Sequence, residues 1–307
     1  MRAIAYSRFG GPDVLELVEL PTPKVGPDSV LVRVRATSVN PVDWKVREGY
    51  LDPIMDAVFP VVPGWDVAGV VEQVGLDAPE FAVGDEVIGY VRKDVVHGGT
   101  TAELVSAPVR TLARKPAALS WEEGAALPLA GLTAYQALKR LEVGAGDTVL
   151  VHNAAGGVGS LAVQVARAWG ARVIGTASAP RHDYVRALGA EPVPYGDGMV
   201  EAVRALAPGG VDVVLDLIGE GVVATTPEVG TADVRLGSVA DGDAVKYGGA
   251  YIWVRPDAQD LAALVALVEQ GAVRVDVAKV FPLEETAAAH ELSADGHVQG
   301  KIVITLG

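Results

Sequence analysis

The 307-residue chain has room for one large domain or two ordinary ones, and half of its residues are apolar, which excludes disorder as the main state. It contains no cysteine, so disulfide scaffolds, thiolate zinc sites, iron–sulfur clusters and cysteine nucleophiles are excluded together. Its 25 basic and 39 acidic side chains give a formal charge of −14, which argues against general binding of nucleic acid or anionic lipid while leaving room for one local basic pocket.

The opening residues, MRAIAYSRFG, lack the apolar run of a signal peptide, and no uncharged stretch of 18 apolar residues follows, so a soluble cytoplasmic protein without membrane contact is expected. Residues 1–7, 14–19, 29–36, 66–74, 85–90 and 101–106 alternate or run apolar and are expected as strands. Gly10-Gly11-Pro12, Pro27-Asp28 and Val83-Gly84-Asp85 supply turns between them. This texture predicts a barrel-like β domain over residues 1–119. Ser120 with Glu123 reads as a capping box, and two helical segments follow, split around Pro128. From there strands 148–153, 172–177, 191–195, 211–216, 233–239 and 249–254 are expected to alternate with helices 157–169, 181–188 and 198–206. That order predicts right-handed crossovers and a doubly wound parallel sheet over residues 120–256, hence an α/β protein. Pro227 is expected to interrupt the helix before the fifth strand, where Gly230 stands alone. A helix (258–269), a strand (275–280), a helix (284–293) and a strand (300–306) remain; with the sheet complete, residues 257–307 are expected to return to the β domain.

The strongest chemical signal lies in residues 148–178, TVLVHNAAGGVGSLAVQVARAWGARVIGTAS. A buried strand enters a tight turn, an amphipathic helix follows, and a second apolar strand completes a βαβ unit. Ala154, Gly156 and Gly159 occupy the three positions of the dinucleotide fingerprint, with Gly157 and Val158 between the last two. Gly156 lets the backbone approach a pyrophosphate, Gly159 lets helix and strand pack closely, and the helix N-terminus offers free N–H groups and the positive end of its dipole. Ala154 departs from the strict pattern, and a merely tight βα turn is the competing reading. An NAD site carries an acid at the end of the second strand to hold the ribose 2′-hydroxyl. Here that end reads Thr176-Ala177-Ser178-Ala179-Pro180, with no acid between Arg172 and Arg181. Ser178, Arg181 and His182 suit a 2′-phosphate, so NADPH is the expected cofactor; a solvated helix start with Asp183 as partner is the plainer account of Arg181 and His182.

Taken together, SVNPVDWKVREGY (38–50), PVVPGWDVAGVV (60–71), VGDEVIGY (83–90), HGGTTAELV (97–105), LPLAGLTAYQAL (127–138), NAAGGVG (153–159) and GKIVI (300–304) resemble the zinc-free quinone oxidoreductase branch, zeta-crystallin-like, of the medium-chain dehydrogenases/reductases. The resemblance covers essentially the whole chain. It implies a GroES-like β-barrel domain with a Rossmann domain inserted before the chain returns. The zinc-ligand positions of metal-dependent members correspond to Asn40, Trp65 and Ala130, which make a poor donor set, so no metal is expected. His97, His152, His182, His290 and His297 show no ligand spacing.

Without a metal, acceptors that take hydride readily are favoured: quinones, whose product is aromatic, and enones, where hydride at Cβ gives a delocalised enolate. By resemblance, Asn40 and Tyr50 lie in the stretch that lines the cleft and are the candidate donors to the developing oxyanion. Asp43 and Lys45 share that stretch, with loop fixation and a solvated side chain as alternatives; Asn40-Pro41 reads equally as a turn. Trp65 is either core or part of an apolar substrate wall. Thr133 matches the position beside the nicotinamide, against an ordinary helix-interior threonine. Gly237, Ser238 and Val239 should run past the nicotinamide. Tyr251 and Trp253, on the expected sixth strand, face either the pocket or the partner of a homodimer, which the resemblance implies. The leading reading is an NADPH-dependent quinone or enone reductase; a tailoring enoyl reductase and a non-catalytic, crystallin-like NADPH-binding protein are the alternatives.

Overall fold

A computed structural model describes residues 1–306. Contacts divide the chain into two compact units: Met1–Leu132, Arg255–Glu269 and Val275 onward form the first, and Thr133–Val254 with Gln270–Arg274 the second.

The first unit begins with an antiparallel pair, β1 (Arg2–Ala5) and β2 (Glu16–Glu19). Next come β3 (Ser29–Val39), α1 (Pro41–Arg47), β4 (Ala57–Val62), β5 (Asp66–Val74), β6 (Glu86–Tyr90), β7 (Val96–Gly98), β8 (Leu104–Pro108) and β9 (Leu112–Arg114). Helix α2 (Trp121–Ala126) and the start of α3 (Pro128–Arg140) follow. The capping box forms as expected: the Glu123 N–H donates to Ser120 Oγ at 3.2 Å, and the Ser120 N–H to Glu123 Oε2 at 2.8 Å. Pro128 opens α3, where its missing N–H costs nothing.

Two differences in this unit have local causes. The stretch after Asn40 is a helix, α1, where strand and turn signals dominated the reading. Pro41 presets the first helical φ, and the Asp43 carboxylate accepts the Asn40 N–H at 2.7 Å, so three residues together start the helix. Strands β4, β7 and β9 fell outside the expected set; two of them have only three residues, and β4 carries Pro60.

In the second unit β10 (Thr148–Val151), α4 (Gly157–Ala168), β11 (Arg172–Thr176), α5 (His182–Ala187), β12 (Glu191–Val193), α6 (Met199–Leu206), β13 (Val211–Asp216), α7 (Thr226–Val229), β14 (Gly230–Ser238) and β15 (Ala250–Tyr251) succeed one another. All six strands pair in parallel, in the order β12-β11-β10-β13-β14-β15. The order in which strands are added reverses between β10 and β13, which is where open α/β sheets place their ligands, at the carboxyl ends of the strands. Pro227 sits in the first turn of α7 and so begins this short helix, where an interruption was expected.

The chain ends with α8 (Ala258–Glu269), β16 (Val277–Pro282), α9 (Thr286–Ala294) and β17 (Lys301–Thr305). β17 pairs antiparallel with β3 and completes a seven-stranded sheet, β16-β17-β3-β5-β6-β9 with β8 also on β3. Val30, Val32, Val67, Val87 and Ile304 belong to its core. No helix among the described residues is long and apolar enough to cross a membrane.

Gln164, on α4, ties Gln270–Arg274 to the second unit. Buried, it donates from Nε2 to the Ser160 and Arg274 carbonyls at 3.0 and 3.1 Å and accepts the Arg274 N–H at 2.9 Å. Gln164→Ala should therefore cost about 1–3 kcal/mol of stability by stripping buried partners from the Arg274 peptide. Hydrogen exchange at the Arg274 amide should accelerate ahead of the rest of the unit; unchanged exchange there would refute this anchoring.

Candidate active site

The turn between β10 and α4 is built by backbone accounting. The His152 N–H donates to Leu215 O (2.9 Å), the Asn153 N–H to Thr176 Oγ1 (3.0 Å) and the Ala154 N–H to Thr176 O (2.9 Å), which lashes the turn to β13 and β11. Gly156 is the N-cap of α4, and Gly157 and Val158 form its half-buried first turn, whose N–H groups have no partner within the helix. At Gly159 a Cβ would lie 2.0 Å from the Asn153 carbonyl oxygen, so only glycine fits. The methyl of Ala154, which breaks the strict fingerprint, is accommodated on β11. A Cβ at Gly175 would fall 2.5 Å from it, and the bare glycine leaves that space to Ala154.

Around this turn lie the other expected cofactor residues. Ser178 is half-buried just past β11, with Arg181 and His182 at the start of α5. The His182 Nε2–H donates to the Ala177 carbonyl at 3.1 Å, so a neutral ring offers a phosphate only an acceptor. Gly237, Ser238 and Val239 end β14. Ser238 is wholly buried and its hydroxyl is occupied: it donates to Asp216 Oδ2 at 2.6 Å and accepts the Ala240 and Asp241 N–H groups at 3.0 and 2.7 Å. Asp216 also accepts the Ile218 and Gly219 N–H groups and thereby shapes the loop after β13. Burial pushes the His152 imidazole down to about 4, against the opposing charge of Asp216, and holds it neutral. Thr133 is buried in α3. Tyr251 and Trp253 stand partly exposed on and beside β15, the edge strand of the sheet.

In the first unit the structure brings Asn40 and Asp43 into one buried polar cluster whose centre is Asp66. Asp66 has no exposed surface. Its Oδ2 accepts from Ser38 Oγ at 2.5 Å and Asn40 Nδ2 at 2.8 Å, and its Oδ1 accepts the Leu129 N–H at 2.7 Å, at the N-terminus of α3. The Lys301 ammonium, buried at the start of β17, donates to Asn40 Oδ1 at 2.5 Å and to the Val39 carbonyl at 3.4 Å. Burial lowers the Lys301 pKa, opposed by Asp66 and Asp43, and raises that of Asp66, opposed by Lys301 and the three donors. Burial pushes Asp43 up to about 7 in spite of the Asn40 N–H. Asn40 is thus committed at both ends of its amide, whereas Tyr50 is 67% exposed and its hydroxyl meets no described residue. The Tyr50 ring stands edge-on to Trp44 at 6.4 Å, and Lys45 Nζ lies 5.5 Å from the Trp44 ring. Trp65 is buried against Tyr90, ring to ring at 6.2 Å.

Sequence reasoning missed Asp66, Lys301, Ser38 and Asp216. Three of them carried a signal: each is a charged residue at the end of a largely apolar run, in DVAGVV, KIVI and VDVVLD.

Known proteins resemble this chain along its length. Residues 26–117 match a family model described as alcohol dehydrogenase GroES-like domain, and residues 188–304 one described as zinc-binding dehydrogenase. An NADPH-dependent alkenal/one oxidoreductase of Arabidopsis thaliana is 36% identical over 99% of this chain and 79% of its own length. A quinone oxidoreductase of Sus scrofa is 33% identical over 100% of this chain and 98% of its own length. The solved quinone oxidoreductase of Coxiella burnetii superposes with a TM-score of 0.89 at 34% identity, over 100% and 99% of the two chains. The chain belongs to the quinone oxidoreductase family of the medium-chain dehydrogenases/reductases. One matching model is named for zinc, but the residues here do not fit that ion: Asn40 Oδ1 already holds an ammonium, and Trp65 and Ala130 offer an indole and a methyl.

The buried cluster makes a pH prediction. Asp43 has a folded-state pKa raised from 3.8 to about 7, so between those values the unfolded chain is ionised there while the folded chain holds a proton. The contribution of Asp43 is complete below its unfolded pKa and is lost as pH rises through the folded one. Asp43→Asn keeps an acceptor for the Asn40 N–H and removes the titration. Its stability relative to wild type should climb by about 1.4 kcal/mol per pH unit from about pH 4 to about pH 7. Parallel denaturant curves for the two proteins across that range would disprove the assignment.

Proposed function

We propose that this protein reduces quinones and α,β-unsaturated carbonyl compounds with NADPH and without a metal. The observation that carries the reading is Lys301 on the Asn40 amide, at a position where metal-dependent relatives are expected to place a zinc ligand. A chain with no polarising ion there favours acceptors that take hydride readily.

When bound, NADPH supplies the hydride. The first turn of α4 holds its diphosphate by backbone N–H groups and the helix dipole, and Gly156 admits it closely. Ser178 and Arg181 take the 2′-phosphate at an end of β11 that carries no acid, and His182 adds an N–H only when protonated. Gly237 and Val239, with Thr133 from α3, border the nicotinamide, while Ser238 keeps the end of β14 in place through Asp216. Tyr50 donates to the acceptor oxygen as negative charge develops on it. Asn40 acts one step back, positioning the start of α1 between Asp66 and Lys301, with Asp43 holding its N–H. Trp65 contributes apolar wall. The protein works as a homodimer joined through the edge strand β15, where Tyr251 and Trp253 are partly exposed, and a cytoplasmic location completes the proposal.

Two experiments test the reading. NADPH should be consumed with both a simple quinone and an enone, undiminished by prolonged chelation, and bound at least tenfold tighter than NADH, a difference of about 1.4 kcal/mol. Loss of activity to a chelator with recovery on adding zinc, or equal affinity for the two dinucleotides, would overturn the corresponding half of the proposal. Tyr50→Phe deletes one exposed hydroxyl and leaves the ring on Trp44. It should lower kcat/KM for an enone about ten- to a hundredfold, roughly 1.4–2.7 kcal/mol, and less for a quinone that needs less charge stabilisation. Full activity on both substrates would assign the oxyanion to another donor.

A further inference from the structure

Asn153 adopts φ +58°, one of three non-glycine residues on the described chain with positive φ. That left-handed conformation costs any side chain more than it costs glycine, though asparagine tolerates it better than most. The cost is offset when the side chain makes an interaction that glycine would forgo. Within the protein there is none: the Asn153 N–H bonds Thr176 Oγ1, but the side-chain amide meets no hydrogen-bonding partner among the described residues. The amide lies flat on Gly156, the N-cap of α4, so that a Cβ at Gly156 would stand 2.8 Å from Asn153 Nδ2 and 3.1 Å from its Oδ1. Gly156 itself has φ −77° and ψ 175°, which any residue adopts, so glycine is present there to make room. A half-buried amide donor with no protein partner therefore rests beside the unpaired N–H groups of the first turn of α4.

We infer that the Asn153 side chain is a hydrogen-bond donor to the diphosphate of the dinucleotide, supplementing the backbone donors of the turn. The inference rests on the reading that NADPH binds at this turn. Its chemistry is that of a neutral amide beside a phosphate oxygen, and it gives a cofactor-positioning role to a residue outside the three fingerprint positions.

The test uses the full chain and two ligands: NADPH, which carries the diphosphate, and adenosine 2′-monophosphate, which carries only the 2′-phosphate end. Asn153→Gly relaxes the backbone and removes the amide. It should raise the dissociation constant for NADPH about tenfold, leave that for adenosine 2′-monophosphate within twofold, and leave the melting temperature of the ligand-free protein equal or higher. Asn153→Asp, which also tolerates positive φ, places a carboxylate against the phosphates and should weaken NADPH about a hundredfold. NADPH affinity within twofold of wild type in Asn153→Gly, or equal weakening of both ligands, would overturn the role of Asn153. Failure of the wild-type protein to bind NADPH would instead overturn the cofactor reading on which it rests.

Discussion

A carboxylate with no exposed surface keeps its charge only if donors and a cation replace its hydration. Asp66 meets that demand with Ser38 and Asn40 at the end of β3, the Leu129 N–H at the start of α3, and the nearby ammonium of Lys301 from β17. Four segments far apart in sequence are thereby fixed to one another, and α1 begins from the residue at their junction. The charge balance of the cluster is uneven: one ammonium lies among two buried carboxylates, Asp66 and Asp43. Desolvation raises both carboxyls, Asp43 to about 7, and Lys301 opposes the shift at each. Tyr50 follows α1 directly, so the placement of its exposed hydroxyl depends on this buried arrangement at one remove.

The same arrangement limits what chemistry the first unit can supply. A zinc ion polarises a substrate oxygen because it keeps a coordination position open. Lys301 is a cation of a different kind: it is buried, and its donors are directed at Asn40 Oδ1 and the Val39 carbonyl. It stabilises the fold of the cluster, with two of its three donors taken by these oxygens. The proposed reaction accordingly asks only for positioning, exclusion of water and neutral donors such as a tyrosine hydroxyl, which suit an acceptor that gains aromaticity or an extended enolate on reduction.

Much of this was legible in the sequence wherever a single local rule governs. The strand–turn–helix unit at 148–176, the capping box at Ser120 and the helix start at Pro128 all form as their residues dictate. Helix α1 was less legible because its start depends on Asn40, Pro41 and Asp43 acting together, and Asn-Pro alone reads as a turn. The polar cluster was illegible for a different reason. Lys301 and Asn40 are 261 positions apart, and nothing local to either one announces the other. Each charged residue at a strand end was visible, but pairing them required the register of β17 on β3, where Ile302 lies opposite Val39. Ser238 illustrates the converse. Its position at the end of β14 was legible from the strand pattern, while its hydroxyl turned out to serve Asp216.

The glycine turn shows how a motif can depart from its pattern and keep its shape. The three fingerprint positions are constraints on space, and the structure shows which constraints are absolute. At Gly159 the obstacle to a side chain is the Asn153 carbonyl oxygen at 2.0 Å, a backbone atom that cannot move without breaking the turn. At Gly156 the obstacle is the Asn153 amide, which can turn aside, so the constraint there is set by what that amide does. At Ala154 a methyl is tolerated because the neighbouring strand carries Gly175 opposite it. The first glycine of the pattern has in effect moved from the turn to β11, and the volume available between turn and sheet is conserved. A reading of the motif that counts glycines along the chain finds one missing; one that counts space finds the same room between turn and sheet.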